Sequence, residues 1–321
     1  RASARRASSS FTKTHLPRRT FLERLAVLAG GSAAAYALLP VLENNYARAA
    51  VVAPDDARLS AGRVAIPLPG GTMRAYVATP RDGPAKRAGV IVVHENRGLN
   101  AHIEDVTRRV ALAGYTAVGV DMLSTQGGTP PDQDRARAMF AKIDAKTAVG
   151  DLVALVDWLR ARPDANGRVG AIGFCWGGGM VNLLAVAAPS LTAAVPFYGV
   201  APPTADVPRI RATLLIHYAG SDPRINAGAP AYEAALKAAG VPYTAYVYEG
   251  VEHAFHNDTA GVRYNEAAAK LAWSRTLAFL QATGRSQEEV VRTEAVARAL
   301  GLFREPGDPQ PDYDASFEID L

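Results

Sequence analysis

What this chain has little of narrows the reading first. It contains one cysteine, Cys175, in 321 residues, so no internal disulfide can form and no second thiol is present to resolve an oxidised one. A thiol exchanger or peroxide sensor is therefore a poor description. No His-Glu-x-x-His or comparable ligand spacing occurs, and neither His94 with Glu95 nor His253 with His256 supplies one, so no metal and no cofactor is implied. Internal repeats and low-complexity segments are absent from residues 60–283, which excludes a solenoid and argues for one folded domain there. Excess charge is also scarce where it would count. The formal net charge is +4, but residues 1–49 alone carry +6 and the remainder −2. The basic character thus belongs to the leader and not to the folded body, and no nucleic-acid partner is expected. At 49% hydrophobic and 21% charged, the chain is an ordinary globular one, long enough for a large core.

The leader accounts for the basic character. Residues 1–16 are polar and rich in Ser, Arg and Ala, the composition of a disordered segment. Then follow Pro17-Arg18-Arg19-Thr20-Phe21-Leu22, an apolar run from Leu25 to Leu42 rich in Ala and Gly, and Ala47-Arg48-Ala49. Paired arginines ahead of Phe-Leu resemble a twin-arginine export signal, and the A-x-A pattern places cleavage after Ala49. The apolar run is near the ~18-residue lower limit for a membrane span, but its Ala and Gly content makes it weakly hydrophobic. The expectation is a bacterial protein exported by the twin-arginine machinery to the periplasm or beyond. No stable membrane partner is expected unless the leader is retained.

In the body, Val64–Pro67 and Met73–Thr79 flank the turn Pro69-Gly70-Gly71 and predict a hairpin. Gly89–His94 and Tyr115–Asp121 are continuous apolar runs of the kind buried on both faces of a parallel sheet. Helices are predicted over His102–Ala113, Asp132–Ala145, Ala148–Arg162, Asn226–Ala239 and Val262–Ala282. Further strands are predicted over Leu191–Phe197, Ala212–Tyr218 and Tyr243–Tyr248. Alternation of this length argues an α/β fold with a mostly parallel, doubly wound sheet flanked by helices. The organisation expected is a leader over 1–49, a catalytic domain over 50–283 and a helical and loop appendage over 284–321, with Ser286–Leu302 helical.

The chain is organised around Gly173-Phe174-Cys175-Trp176-Gly177. This is the Gly-x-Ser-x-Gly nucleophile elbow with sulfur in place of the hydroxyl, between an apolar strand and a glycine-rich helix start. A lone cysteine is ordinarily a buried core thiol, but that account leaves the flanking glycines unexplained. They let strand and helix backbones pass close together. The helix N-terminus is expected to lower the thiol pKa and to offer N–H groups to an oxyanion. In a doubly wound sheet, functional residues collect at the carboxyl ends of strands. Glu95-Asn96-Arg97-Gly98, Cys175, Gly220-Ser221-Asp222-Pro223 and Glu249–Phe255 fall at such ends. Singly, Asp222 reads as a turn former, His253 as a loop histidine and Glu95 as a solvated acid. Together they set nucleophile, acid and base in the order Cys175, Asp222, His253, the order of the α/β-hydrolase triad. The oxyanion donors expected are the backbone N–H groups of Trp176 and Asn96.

The elbow, His94-Glu95-Asn96-Arg97-Gly98, Gly220-Ser221-Asp222 and His253-Ala254-Phe255 together resemble the dienelactone hydrolase family over roughly residues 60–283. The resemblance implies an α/β-hydrolase fold and a Cys-Asp-His triad acting on small esters or lactones through a thioacyl-enzyme intermediate. It also implies that Glu95 contacts the cysteine and takes part in its activation. The alternative class is a non-catalytic binding protein on a hydrolase fold, which would be expected to have lost at least one of the four motifs. There are departures. Family members acting on dienelactone hold its carboxylate with two arginines, one shortly after the histidine and one on the loop that here follows Asp121. Ala254–Asp258 and Met122–Gly128 contain none. Arg97 and His256 are the candidate replacements for substrate binding, although histidine lacks the bidentate fork of arginine. Dienelactone itself is not the expected substrate.

Overall fold

The computed structural model describes residues 51–284. The expected leader, its cleavage site and the helix over Ser286–Leu302 lie outside the described residues. Among the described residues no helix is long and apolar enough to cross a membrane.

One eight-stranded sheet organises the chain. Its strands are β1 (Leu59–Leu68), β2 (Gly71–Pro80), β3 (Arg87–Val93), β4 (Thr116–Val120), β5 (Ala165–Phe174), β6 (Ala193–Phe197), β7 (Thr213–Ala219) and β8 (Tyr243–Tyr248). Their spatial order is β1-β2-β4-β3-β5-β6-β7-β8. β2 runs antiparallel to both neighbours, and all pairings from β4 onward are parallel. The helices are α1 (Ala101–Leu112), α2 (Gln133–Phe140), α3 (Ala145–Ala161), α4 (Trp176–Ala187), α5 (Pro223–Asn226), α6 (Ala229–Ala238) and α7 (Glu266–Gly284).

The strand sequences explain why helices cover both faces. Side chains alternate along a strand, and β3 is apolar at every buried position and β4 at all but Thr116. Ile91, Val93 and Val118 therefore face a core built with Leu152, Leu155 and Leu159 of α3, Val181 and Leu184 of α4, and Leu236 of α6. Val90, Val92 and Ala117 face the opposite core, with Ile103, Val106 and Val110 of α1 and Ala272 and Leu280 of α7. From β3 the chain moves outward to β4, then back across to β5. The carboxyl ends of β3 and β5 thus flank a topological switch point, the place where an open α/β sheet leaves a crevice.

Four expected helices differ in extent, the one over Ala148–Arg162 by starting earlier, at Ala145. The one over Asp132–Ala145 stops at Phe140, because Asp144 accepts from Thr147 N (2.8 Å) and caps the next helix instead. The one over Asn226–Ala239 is broken at Ala227-Gly228, where Pro230 in the first turn of α6 lacks the N–H to continue an earlier helix. The last helix begins at Glu266, not Val262, since Asn265 Oδ1 accepts from Ala268 N (3.0 Å) and resets the start.

His217 on β7 shows how polar groups are accommodated in this core. Thr276 donates its hydroxyl to Ala272 O (2.8 Å), so its oxygen accepts from His217 Nε2–H (3.0 Å), and His217 Nδ1 accepts from the Tyr248 hydroxyl (2.9 Å). The ring is satisfied as the neutral tautomer. Burial, with the Arg275 charge, lowers its pKa from 6.5 to about 3. Unfolded chains therefore take up this proton first as pH falls, and His217 removes stability between pH 6.5 and about 3. Above that window it contributes no pH dependence. Thermal unfolding followed from pH 7 to pH 4 is expected to show this loss at up to about 1.4 kcal/mol per pH unit for this one proton. His217→Gln is expected to flatten the curve over that range.

Candidate active site

The junction of β5 and α4 sets the geometry. Cys175 alone turns the chain between them, at φ 56° and ψ −115°. A residue with a Cβ pays about 1–3 kcal/mol in such a conformation, so its surroundings must enforce it. Cys175 N–H donates to Phe197 O (3.1 Å), and its carbonyl accepts from Gly179 N (3.2 Å). Room for the turn depends on glycine. A Cβ at Gly173 would lie 2.1 Å from the Gly177 carbonyl oxygen, and one at Gly177 would lie 2.4 and 2.5 Å from the carbonyl oxygens of Val93 and His94.

Cys175 is half-buried and lines a cavity of about 500 Å³ together with Asn96, Trp176, Met180, Leu183, Ile225 and Arg224. Its thiol is pushed up to about 12, by burial first and then by the Glu95 charge, with a smaller push from Asp222. The Trp176 N–H at the start of α4 and the Arg224 guanidinium act in the opposite direction. The helix terminus thus favours the thiolate, as the sequence suggests, but burial and a neighbouring carboxylate outweigh it and the resting group is a neutral thiol.

Glu95 follows β3. It is 8% exposed, and its Oε2 accepts from Asn257 Nδ2 at 2.7 Å. His94 holds this loop from below: Nδ1 donates to Glu95 O (2.7 Å) and Nε2 accepts from Met122 N (3.1 Å). Its ring stacks on Trp176 at 6.1 Å. With both nitrogens engaged and burial lowering its pKa, His94 is a structural histidine, as its place at a buried strand end indicates.

Asp222 follows β7 and caps α5, its Oδ1 accepting from Ile225 N (3.4 Å). Its Oδ2 accepts from His253 Nδ1 at 2.5 Å. The structure thus brings this acid and base together from loops 31 residues apart. The His253 ring packs on Tyr198, 4.9 Å between centroids. The loop after His253 is held at Asp258, which accepts from His102 Nδ1 (2.8 Å) and Arg109 Nη2 (2.5 Å), both on α1. Burial opposes ionisation of Asp258, yet these two partners hold its carboxyl down at about 2.

Two expected substrate contacts lie elsewhere. His256 is 2% exposed and packed against Phe174, Phe197 and Trp273, and burial, aided by the positive charges of His102 and Arg109, drives its pKa well down. It is a core residue and does not line the cavity, because the chain turns at Ala254 (φ 71°) and sends this side chain inward. Arg97 donates to Gln133 at the start of α2 and does not line the cavity either. The cation that does line it is Arg224, two residues after Asp222. Nothing in the local sequence marks it, since its direction follows from the short helix that Asp222 caps. Asn257, four residues after His253, was equally silent.

Comparison with known proteins places the chain by family and fold. A family model described as the dienelactone hydrolase family matches residues 73–284. A candidate carboxymethylenebutenolidase of Salmonella typhi is 32% identical over 243 residues, covering 71% of this chain and 90% of that protein. Another from Methylorubrum extorquens is 32% identical over 277 residues, 81% of this chain and 93% of the other. The crystal structure of a candidate dienelactone hydrolase from Klebsiella pneumoniae superposes with a TM-score of 0.63 at 32% identity, over 68% of this chain and 97% of that one.

The elbow packing makes a specific demand. Gly177→Ala would drive a methyl into two backbone carbonyls and is expected to lower stability by at least about 2 kcal/mol in denaturant unfolding. A Cβ at Gly179 in the same helix meets nothing closer than 3.6 Å. Gly179→Ala is therefore expected to be neutral or to add up to about 1 kcal/mol through helix propensity.

Proposed function

This chain belongs to the dienelactone hydrolase family, and from that premise we propose that it hydrolyses small carboxylic esters or lactones through a covalent thioacyl intermediate on Cys175. The observation that carries the reading is a pair of features at the carboxyl ends of the parallel strands: a cysteine on a strained strand-to-helix turn facing a cavity, and a histidine bonded to a buried aspartate.

In the proposed cycle, His253 takes the thiol proton and the Cys175 sulfur attacks the substrate carbonyl. Asp222, accepting from Nδ1, keeps Nε2 as the atom that moves the proton and stabilises the imidazolium that results. The Trp176 and Asn96 backbone N–H groups are the proposed donors to the tetrahedral oxyanion. Collapse expels the alkoxide, which takes the proton from His253, and leaves the acyl group on sulfur. Water then attacks the thioester, giving its proton to His253, and the carboxylic acid leaves as the thiol is restored. Glu95 keeps the resting thiol protonated, so the nucleophile forms only as proton transfer to His253 proceeds. A neutral resting thiol is also slower to oxidise.

The cavity walls support a choice of substrate. Met180, Leu183 and Ile225 offer apolar contact, and Arg224 offers one cation to a negative group on the acyl or leaving portion.

Mixing the protein with p-nitrophenyl esters in a stopped-flow cell is expected to release a burst of nitrophenol equal to the enzyme, followed by slower turnover. Cys175→Ala is expected to abolish both, and full turnover by that variant would refute the nucleophile assignment. For Arg224→Gln, the ratio of kcat/KM for a carboxylate-bearing ester to that for its neutral isostere is expected to fall about tenfold, the loss of one charge-assisted contact. An unchanged ratio would mean that Arg224 does not select substrate.

A further inference from the structure

We propose that Asn257 is a positioning residue for Glu95, holding one carboxylate oxygen through a neutral amide and leaving the carboxylate's charge uncompensated beside Cys175. The inference rests on the reading of Cys175 as the nucleophile and Glu95 as its neighbour, and adds a residue that controls that neighbour.

The orientation of the amide is settled by its own partners. Asn257 is 1% exposed. Its Oδ1 accepts from Thr259 N (3.0 Å) and from the Thr259 hydroxyl (2.6 Å), while Nδ2 donates to Glu95 Oε2 (2.7 Å). Flipping the amide would set oxygen against carboxylate and NH₂ against the Thr259 N–H, losing both of those bonds and keeping only the one to the Thr259 hydroxyl, which works in either sense. The backbone is held as well. Asn257 N donates to Ala254 O (3.0 Å), and the next residue, Asp258, is tied to His102 and Arg109 of α1. Asn257 is thus a fixed donor aimed at Glu95 from a clamped loop.

The other side of the carboxylate gives the arrangement a purpose. Glu95 Oε1 is buried and has no hydrogen-bond partner among the described residues. A buried carboxylate with one oxygen unpaired is costly, and a purely structural glutamate would be expected to satisfy both. A cation at position 257 would bond Glu95 equally well and cancel its charge. The amide bonds it and cancels nothing, so the charge is free to act on the thiol. Several groups bear on Cys175 besides burial. Glu95 and Asp222 disfavour the thiolate, whereas Arg224 and the Trp176 N–H favour it. His253 packs on Tyr198, whose buried hydroxyl has no hydrogen-bond partner among the described residues and feels both Glu95 and Cys175.

The chain's one thiol makes the test direct. Iodoacetamide labelling of the full chain is followed from pH 6 to pH 10 in wild type, Asn257→Leu, Glu95→Gln and the double variant. Removing the Glu95 charge is expected to speed labelling at pH 8 about tenfold, the effect of one unit in thiol pKa. Asn257→Leu is expected to speed it several-fold and shift the profile to lower pH, because a carboxylate without its fixed donor is no longer held with its charge against the thiol. Combined, the two are expected to label no faster than Glu95→Gln alone. Thr259→Val removes one of the two donors that orient the amide and is expected to produce a smaller change of the same sign, providing a second reading if Asn257→Leu does not fold. An equal effect of Asn257→Leu with and without Glu95→Gln would reduce Asn257 to a packing residue and overturn the proposal. So would an unchanged profile in Asn257→Leu or Thr259→Val. Retained ester turnover in Cys175→Ala is a separate result: it removes the nucleophile reading but leaves this cycle, which reads thiol reactivity alone, interpretable.

Discussion

The contact on which this molecule depends most is the approach of the α4 backbone to the ends of β3 and β5. Gly173 and Gly177 sit where any Cβ would meet a carbonyl group at under 3 Å. Because the two elements come that close, one residue must reverse the chain between them, and Cys175 carries the left-handed φ that results. The strain is local, but what enforces it is spread across the sheet. Phe197 at the end of β6 accepts the Cys175 N–H, and the cores on the two faces hold β5 and α4 in register. A half-buried thiol that faces the cavity is a consequence of close packing beneath it.

The electrostatics of the site follow from burial more than from the helix terminus. A helix N-terminus is worth a fraction of an elementary charge to a thiolate, whereas desolvation and a full carboxylate charge both act against it. The resting state is therefore a protonated thiol, and the proposed catalysis needs a proton acceptor that waits for substrate. His253, oriented by Asp222, fits that requirement. Glu95 then has a restraining part, which is consistent with a neutral amide as its partner.

The loops that bear these groups are not equally supported. Cys175 is held by sheet and helix directly. His253 and Asn257 ride on a loop tied to α1 through Asp258, with His102 and Arg109 as the anchors. Since α1 packs on the face opposite α4, the site is assembled from both sides of the sheet, and the ion pairs under the histidine loop substitute for regular structure. The cavity combines an apolar wall with one guanidinium, which suits small substrates that carry a single polar or anionic group.

Much of this was legible in the sequence. Apolar runs of β-branched residues marked the buried strands, strand-helix alternation indicated the parallel sheet, and the elbow glycines identified Cys175, because each of these is a local response to packing that repeats wherever the same contact is made. Order along the chain paired Asp222 with His253. The helix boundaries at Phe140, Gly228 and Asn265 were misread, since capping by a single side chain or one proline overrides periodicity. What only the tertiary structure decided was direction. His256 and Asn257 are neighbours in one polar loop, yet Ala254 turns the chain so that His256 enters the core and Asn257 reaches Glu95, 162 residues away. Arg97 looked poised for substrate and instead bonds Gln133, while the unremarked Arg224 lines the cavity. The sequence by itself determined which kinds of residue stand at the strand ends. Where each side chain points depends on loop conformations set by contacts with distant elements, and no pattern of neighbours encodes those contacts.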